Sequence, residues 1–337
     1  MSQDMNRNEY RQQVCVLGAG SWGTALALVL ARSGQRQVRL YTHDQAHAAA
    51  LIQQRENSRY LPGIALPDNI HVTSRVDAAI GDIDACVYAL PCIAVDDYLP
   101  LLTGGDYPVI AACKGLHPQT LKRSDEMLAQ YIDRSRIAII SGPSFAHEVA
   151  RNQPTAITMA AEQIELAQQA AAFFDDTNFR IYLSDDVIGV AMGGALKNVI
   201  AIAAGMADGL GFGHNSVAAA VTRGLSEMAR LTVACGGCQE TMMGLSGLGD
   251  LVLTCTGSLS RNRRFGMAIA QGKNMAQAKA EIGQVVEGVR TARAVDHLAD
   301  RMAIELPLMQ CVHRVLDGEL QIQEALALLM SRPERAE

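Results

Sequence analysis

Val14-Cys-Val-Leu-Gly-Ala-Gly-Ser-Trp-Gly-Thr-Ala-Leu-Ala-Leu-Val-Leu-Ala31 is the stretch on which the reading of the fold turns. Its apolar start, residues 14–17, reads as a buried parallel strand, and the glycines that follow sit where such a strand turns into a helix. Gly18 permits the tight turn, Gly20 leaves bare backbone for a pyrophosphate to approach, and Gly23 lets the helix pack closely on the sheet. The amides of the first helical turn then face the phosphates. Gly34 ends the helix as a C-cap. Strand, turn, helix and cap are in register, which predicts nucleotide binding.

Outward from this unit the same alternation continues. Residues 38–41 form the second strand, at whose end a dinucleotide fold places an acidic group for the adenosine ribose. Thr42-His43-Asp44 stands there instead. With no carboxylate directly after the strand there is room for a 2′-phosphate, while Asp44 can still reach a ribose. Residues 46–56 read as a helix and 57–63 as a loop carrying Arg59 and Tyr60. Further strands are expected at 70–73, 84–90, 109–113, 137–140, 155–160 and 180–183, with an amphipathic helix at 162–174. Lys114 follows its strand at once. Ligands in open parallel sheets sit beyond the carboxyl ends of the strands, so Lys114 is placed where chemistry would be. Ser141-Gly-Pro-Ser144 repeats the pattern of buried strand and small-residue turn.

Beyond Asp185-Asp186, an expected helix N-cap, strand signals disappear. The rest reads as helices: 187–207, 216–234, a stretch through Cys255, one opened by Ser260, then 289–301, 306–316 and 323–330. Arg223, Glu227 and Arg230 read as a salt-bridge ladder along one of them, and 283–288 as a loop. The expected architecture is a doubly wound α/β domain over residues 12–188, followed by an all-α domain over 189–332.

Bulk composition fits this plan. The 337 residues are 49% hydrophobic and 19% charged, enough apolar sequence for two cores. Lys plus Arg is 29 against 35 Asp plus Glu, a net charge of −6, and no basic run is concentrated anywhere. Nucleic acid and anionic membrane surfaces are therefore not expected partners. The eight cysteines lie mostly in apolar runs, and Cys235-Gly-Gly-Cys238 lacks the second pair that a zinc site needs. No disulfide framework and no metal is expected. The polar start, residues 1–13, has no apolar targeting segment, and no uninterrupted apolar span reaches membrane length. A cytoplasmic location is expected.

Two places in the helical region carry chemistry. Lys197 sits among Met192, Gly193, Gly194, Ala195, Ala201 and Ala204, none of which supplies an aqueous shell. Desolvation should lower its pKa until it exchanges a proton near neutral pH. Asp250 and Thr254, four apart on one helical face, can hold this lysine or a substrate hydroxyl. Ser260-Arg261-Asn262 combines an N-cap, a planar guanidinium fork and exposed helix-start amides, an anion site suited to a small phosphorylated substrate.

Gly18-Ala-Gly-Ser-Trp-Gly23, Ala112-Cys-Lys-Gly115, Ser141-Gly-Pro-Ser-Phe-Ala146, Ala195-Leu-Lys-Asn198, Gly247-Leu-Gly-Asp250, Ser260-Arg-Asn262 and Val285-Val-Glu-Gly288 together closely resemble the bacterial NAD(P)-dependent glycerol-3-phosphate dehydrogenases, from about residue 14 to 329. The resemblance implies a Rossmann-type domain, an all-helical substrate domain and a homodimer. It implies the interconversion of dihydroxyacetone phosphate and sn-glycerol 3-phosphate with NADPH or NADH, feeding phospholipid synthesis. Lys197 becomes the proton donor and acceptor. Lys114, Gly142, Ser144, Asp250, Ser260, Arg261 and Asn262 become substrate contacts, and Gly18, Gly20, Ser21, Trp22, Gly23, His43, Lys114, Ala146, Arg261, Val286 and Glu287 coenzyme contacts. Two other readings keep the same residues: a related two-domain reductase of another small substrate such as ketopantoate, and a silent nucleotide sensor in which Lys197 is structural.

Overall fold

The computed structural model describes residues 12–331. The polar start up to residue 11 lies outside the described residues, as does residue 332, the expected end of the helical domain. Contacts divide the chain into two units, one holding the sequence up to Cys113 together with Ser124–Val187, the other Lys114–Arg123 together with the chain from Ile188 onward.

The first unit is built on ten strands: β1 (Gln12–Leu17), β2 (Arg36–Tyr41), β3 (Glu56–Asn57), β4 (Leu61–Ala65), β5 (Ile70–Thr73), β6 (Ala85–Tyr88), β7 (Val109–Ala111), β8 (Ile137–Ser141), β9 (Thr155–Ala160) and β10 (Phe179–Ser184). Eight of them form one sheet in the order β10-β9-β8-β7-β6-β1-β2-β5. From β5 across to β8 the neighbours run parallel; β9 is antiparallel to β8, and β10 is parallel to β9. Chain order reverses between β1 and β6, which makes the carboxyl ends of these two strands the topological switch point where an open sheet takes its ligand. Val14, Val16, Leu17, Cys86, Val87 and Ile110 are fully buried, as strands covered on both faces require. Helices α1 (Ser21–Ala31), α2 (Gln45–Gln54), α3 (Val76–Ile80), α4 (Val95–Tyr98), α5 (Ser124–Leu128), α6 (Ala146–Ala150) and α7 (Ile164–Ala172) connect the strands. The loop expected at 57–63 is instead a small antiparallel hairpin, β3 with β4. Pro62 and Gly63 had masked the strand signal.

The second unit is helical: α8 (Val187–Gly209), α9 (Gly213–Ala234), α10 (Gln239–Met243), α11 (Asp250–Thr256), α12 (Arg261–Ala270), α13 (Met275–Ile282), α14 (Glu287–Met302), α15 (Pro307–Leu316) and α16 (Ile322–Met330). Helix α8 is its core, with Met192, Leu196, Val199, Ile200, Ile202 and Ala204 fully buried. The most apolar 18-residue window of this 23-residue helix has a mean hydropathy of 1.8, so by length and composition one helix among the described residues is apolar enough to cross a membrane. Lys197-Asn198 interrupts the run in the sequence without lowering the average enough, and 94% of the most apolar window is buried inside the protein. Glu227, expected as a rung of the salt-bridge ladder, is buried, and its two carboxylate oxygens accept from the backbone amides of Leu308 (2.7 Å) and Met309 (3.0 Å). They cap α15, which opens on Pro307.

Candidate active site

The first unit carries the glycine turn. Gly18 has φ +116°, and a Cβ there would lie 2.9 Å from the Ala89 carbonyl oxygen at the end of β6. A Cβ on Gly23 would run into the Gly18 carbonyl, so this glycine is what lets α1 lie against the turn. Gly20 differs, since a Cβ there would meet nothing within 4 Å. As N-cap of α1 it has no side chain with which to bond the first amides of the helix, at Ser21, Trp22 and Gly23. Open space over bare helix-start amides at the switch point fits a dinucleotide pyrophosphate. His43 is exposed in the loop after β2. Asp44 next to it is already engaged, accepting from the His47 amide (3.0 Å) as N-cap of α2 and pairing with Arg59 (3.2 Å). That leaves the ribose end of the sheet edge without a free carboxylate directly after β2. At the end of β8, Gly142 takes φ +146° with its Cβ position 3.0 Å from Ile157 Cα, the Ser144 hydroxyl donates to the Gly142 carbonyl (2.9 Å), and Ala146 begins α6.

The second unit gathers three charges. Gly193 on α8 has no Cβ, and the Ser246 carbonyl occupies the space one would fill. The π-helical turn Leu245–Gly249 therefore seats against α8, and it delivers Asp250, first residue of α11, beside Lys197 one turn further along. Such π-turns interrupt regular helix often at functional sites. Asp250 Oδ1 accepts from Lys197 Nζ, and Oδ2 accepts from Lys114 Nζ at 2.8 Å. The Thr254 hydroxyl, one turn on, donates to the Asp250 carbonyl (2.6 Å) and lies 3.4 Å from Oδ1. The Asp250 and Lys197 side chains are 1% and 9% exposed. One buried carboxylate shared by two ammonium groups leaves a net positive charge, which favours an anionic ligand. Burial pulls the Lys197 ammonium down to about 8, a fall that Lys114 assists and Asp250 opposes.

Around this cluster two helix starts are linked by amides. Asn262 Nδ2 donates to Asn198 Oδ1 (2.8 Å), and Asn262 Oδ1 accepts from the Gly288 amide (3.0 Å). Buried Asn198 and Asn262 thus join α8, α12 and α14. Both polar ends of the Asn262 side chain are in use, which leaves its backbone amide for an anion. Ser260 caps α12, its hydroxyl accepting from the Arg263 amide (3.2 Å). Arg263 pairs with Asp208 at the end of α8, and half-buried Arg261 donates to Gln284 (3.1 Å). The stretch 283–288, expected as a loop, ends in helix: Val286 is the N-cap of α14 and Glu287 its first residue. Two glycines and two valines in six residues hid that start. Burial raises the Glu287 carboxyl above the usual range, against the pull of Arg261, Lys114, Lys197 and Arg290. No cluster of His, Cys, Asp and Glu suited to a metal ion occurs among the described residues.

Glycine turn, switch point and buried lysine together have the character of a dinucleotide-dependent oxidoreductase. A family model described as the N-terminus of NAD-dependent glycerol-3-phosphate dehydrogenase matches residues 13–167, and the corresponding C-terminus model matches 186–327. The glycerol-3-phosphate dehydrogenase [NAD(P)+] of Acidovorax sp. (strain JS42) is 46% identical over 322 residues, covering 95% of this chain and 98% of that protein. Its counterpart in Koribacter versatilis (strain Ellin345) is 44% identical over 333 residues. The crystal structure of glycerol-3-phosphate dehydrogenase from Coxiella burnetii superimposes with a TM-score of 0.90 at 40% identity, covering 95% of this chain and 99% of that one. The chain belongs to the NAD-dependent glycerol-3-phosphate dehydrogenase family.

Proposed function

We propose that this chain interconverts dihydroxyacetone phosphate and sn-glycerol 3-phosphate, using NAD(P)H in one direction and NAD(P)+ in the other. The observation that carries the reading is the buried Lys114–Asp250–Lys197 cluster, one carboxylate between two ammonium groups, in a chain whose relatives are named for this activity. Bound NAD(P)H supplies hydride to the C2 carbon of the ketone. Lys197 delivers a proton to the C2 oxygen as the alkoxide forms, and in the reverse direction it removes that proton; a pKa of about 8 suits both roles near neutral pH. Lys114 and Asp250 hold the C2 oxygen and the hydroxyl beside it, and Asp250 keeps the Lys197 ammonium aimed at the reacting oxygen. Arg261, the Asn262 backbone amide and the start of α12 capped by Ser260 take the phosphate. Gly142 and Ser144 are further substrate contacts in this reading. For the coenzyme, Gly18, Gly20, Ser21, Trp22 and Gly23 bind the pyrophosphate, His43 the adenosine end, and Lys114, Ala146, Arg261, Val286 and Glu287 complete its contacts.

The same proposal includes a homodimer in the cytoplasm whose product enters phospholipid synthesis. A groove of about 890 Å³ among α9, α15 and α16, lined mainly by apolar residues including Phe212, Leu326 and Met330, supports self-association. Loss of nicotinamide absorbance tests the activity: the protein should oxidise NADPH on addition of dihydroxyacetone phosphate and not on addition of ketopantoate. Comparable turnover of ketopantoate overturns the proposal in favour of a related reductase, and no turnover of either leaves a nucleotide sensor.

A further inference from the structure

Asn57 is 1% exposed and uses every hydrogen-bonding position of its side chain. Its Nδ2 donates to the carbonyl of Ala19 (2.9 Å), inside the glycine turn, and to the Thr24 hydroxyl on α1 (2.8 Å). Its Oδ1 accepts from the Tyr60 amide (3.2 Å) and from His47 Nε2 (3.2 Å). A carbonyl can only accept and a backbone amide can only donate, so the orientation of the Asn57 amide is fixed by its partners. His47, itself buried, stands edge-on to Tyr60 with ring centres 5.2 Å apart, and its Nδ1 lies 3.5 Å from the Thr42 hydroxyl, next to His43. One chain of side chains therefore connects the end of β2 to the middle of the Gly18–Gly20 turn.

The bond to Ala19 has a directional consequence. In a trans peptide the carbonyl and the following amide point opposite ways, and the described chain has no cis bond. Holding the Ala19 carbonyl on Asn57 aims the Gly20 N–H away from Asn57. At Gly20 the turn is open, since a side chain there would meet nothing within 4 Å.

We propose that Asn57 is a positioning residue for the coenzyme: it fixes the Ala19–Gly20 peptide so that the Gly20 amide points at the pyrophosphate, and through His47 it keeps the adenosine-side loop after β2 in register with that turn. The proposal rests on the dehydrogenase reading given above. Asn57→Ala removes the donor without adding charge, and Asn57→Asp keeps the size but sets an acceptor against the Ala19 carbonyl. Trp22, the only tryptophan of the chain, lies in the first turn of α1 and reports binding by its fluorescence. Loss of a buried, fully used hydrogen-bonding group should weaken NADPH binding about ten- to a hundredfold, most in Asn57→Asp. The KM for NADPH should rise in parallel, while kcat at saturating NADPH and the KM for dihydroxyacetone phosphate stay within about twofold. A lowered melting temperature with unchanged NADPH affinity overturns the proposal and makes Asn57 merely structural. Should neither variant fold, His47→Phe keeps the edge-on contact to Tyr60 but loses the bond to Asn57. A severalfold loss of NADPH affinity in it supports the proposal and unchanged affinity overturns it. The unaltered protein is the control: failure of the wild type to bind NADPH would count against the dehydrogenase reading itself.

Discussion

Replacing Asp250 by Asn isolates what the shared carboxylate does for Lys197. The two side chains are isosteric, so the turn that seats Asp250 against α8 and the Thr254 bond to its backbone carbonyl should survive. What disappears is a negative charge in direct contact with Lys197 Nζ, while the ammonium of Lys114, which lowers Lys197, remains. An opposite charge at this range is worth about one to three pH units. The sign follows from the charge of the proton-bound form: without the carboxylate the ammonium is less favoured, so Lys197 loses its proton at lower pH than the value near 8 it has with Asp250 in place. In ketone reduction the protonated lysine is needed, and kcat/KM, which reports the free enzyme, should fall as pH rises through that value. In alcohol oxidation the neutral lysine is needed, and kcat/KM should rise through it. In Asp250→Asn both limbs should move toward acid by about one to three pH units. Steady-state kcat/KM profiles in both directions, with melting curves to establish folding, measure this directly. Limbs that stay in place would refute the assignment of Lys197, held by Asp250, as the titrating group.

Other expectations follow from individual contacts. Arg261→Ala should lower kcat/KM for dihydroxyacetone phosphate about ten- to a hundredfold, as loss of a charge-assisted contact predicts, and should slow reduction of unphosphorylated dihydroxyacetone far less. Equal losses for the two substrates would show that Arg261 is no phosphate ligand. His43→Glu places a negative charge in the loop after β2, where Asp44 is already tied to α2 and Arg59. The ratio of kcat/KM for NADPH over NADH should drop; an unchanged ratio would move the adenosine phosphate elsewhere. Gly23→Ala should destabilise the protein strongly, because a Cβ there collides with the Gly18 carbonyl, whereas a Cβ at Gly20 meets no protein atom. Gly20→Ala should therefore retain the melting temperature and lose coenzyme affinity, and the opposite pattern in the two variants would contradict the assigned roles.

What the sequence disclosed depended on how far apart the interacting residues lie along it. The β1–α1 turn could be read because Gly18, Gly20 and Gly23 act within one turn of chain, and Ser260 because a helix cap is local. Lys197 stood out because a lysine in a run of alanine, glycine and methionine violates the pattern of its own helix. Contacts across long separations left no such trace. Lys114 reads as a strand-end lysine of the first unit, yet its segment belongs with the helical unit through a bond to Asp250, 136 positions away. Glu227 reads as a ladder rung, and only the fold brings the Leu308 and Met309 amides, 81 and 82 positions away, to its carboxylate. Asn57 reads as the start of a polar loop, and only the fold brings it to Ala19, 38 positions earlier.

The measurement that bears most directly on the account is a single turnover of Lys197→Ala with NADPH and dihydroxyacetone phosphate, read at the nicotinamide absorbance alongside NADPH binding by Trp22 fluorescence. Binding should remain within about twofold of wild type, while hydride transfer slows by about 10²–10⁴-fold, the usual contribution of a positioned general acid. Lys197→Arg should not restore it, because a guanidinium does not release protons near neutral pH. Hydride transfer at near wild-type rate in either variant would contradict the claim that this buried lysine moves the proton.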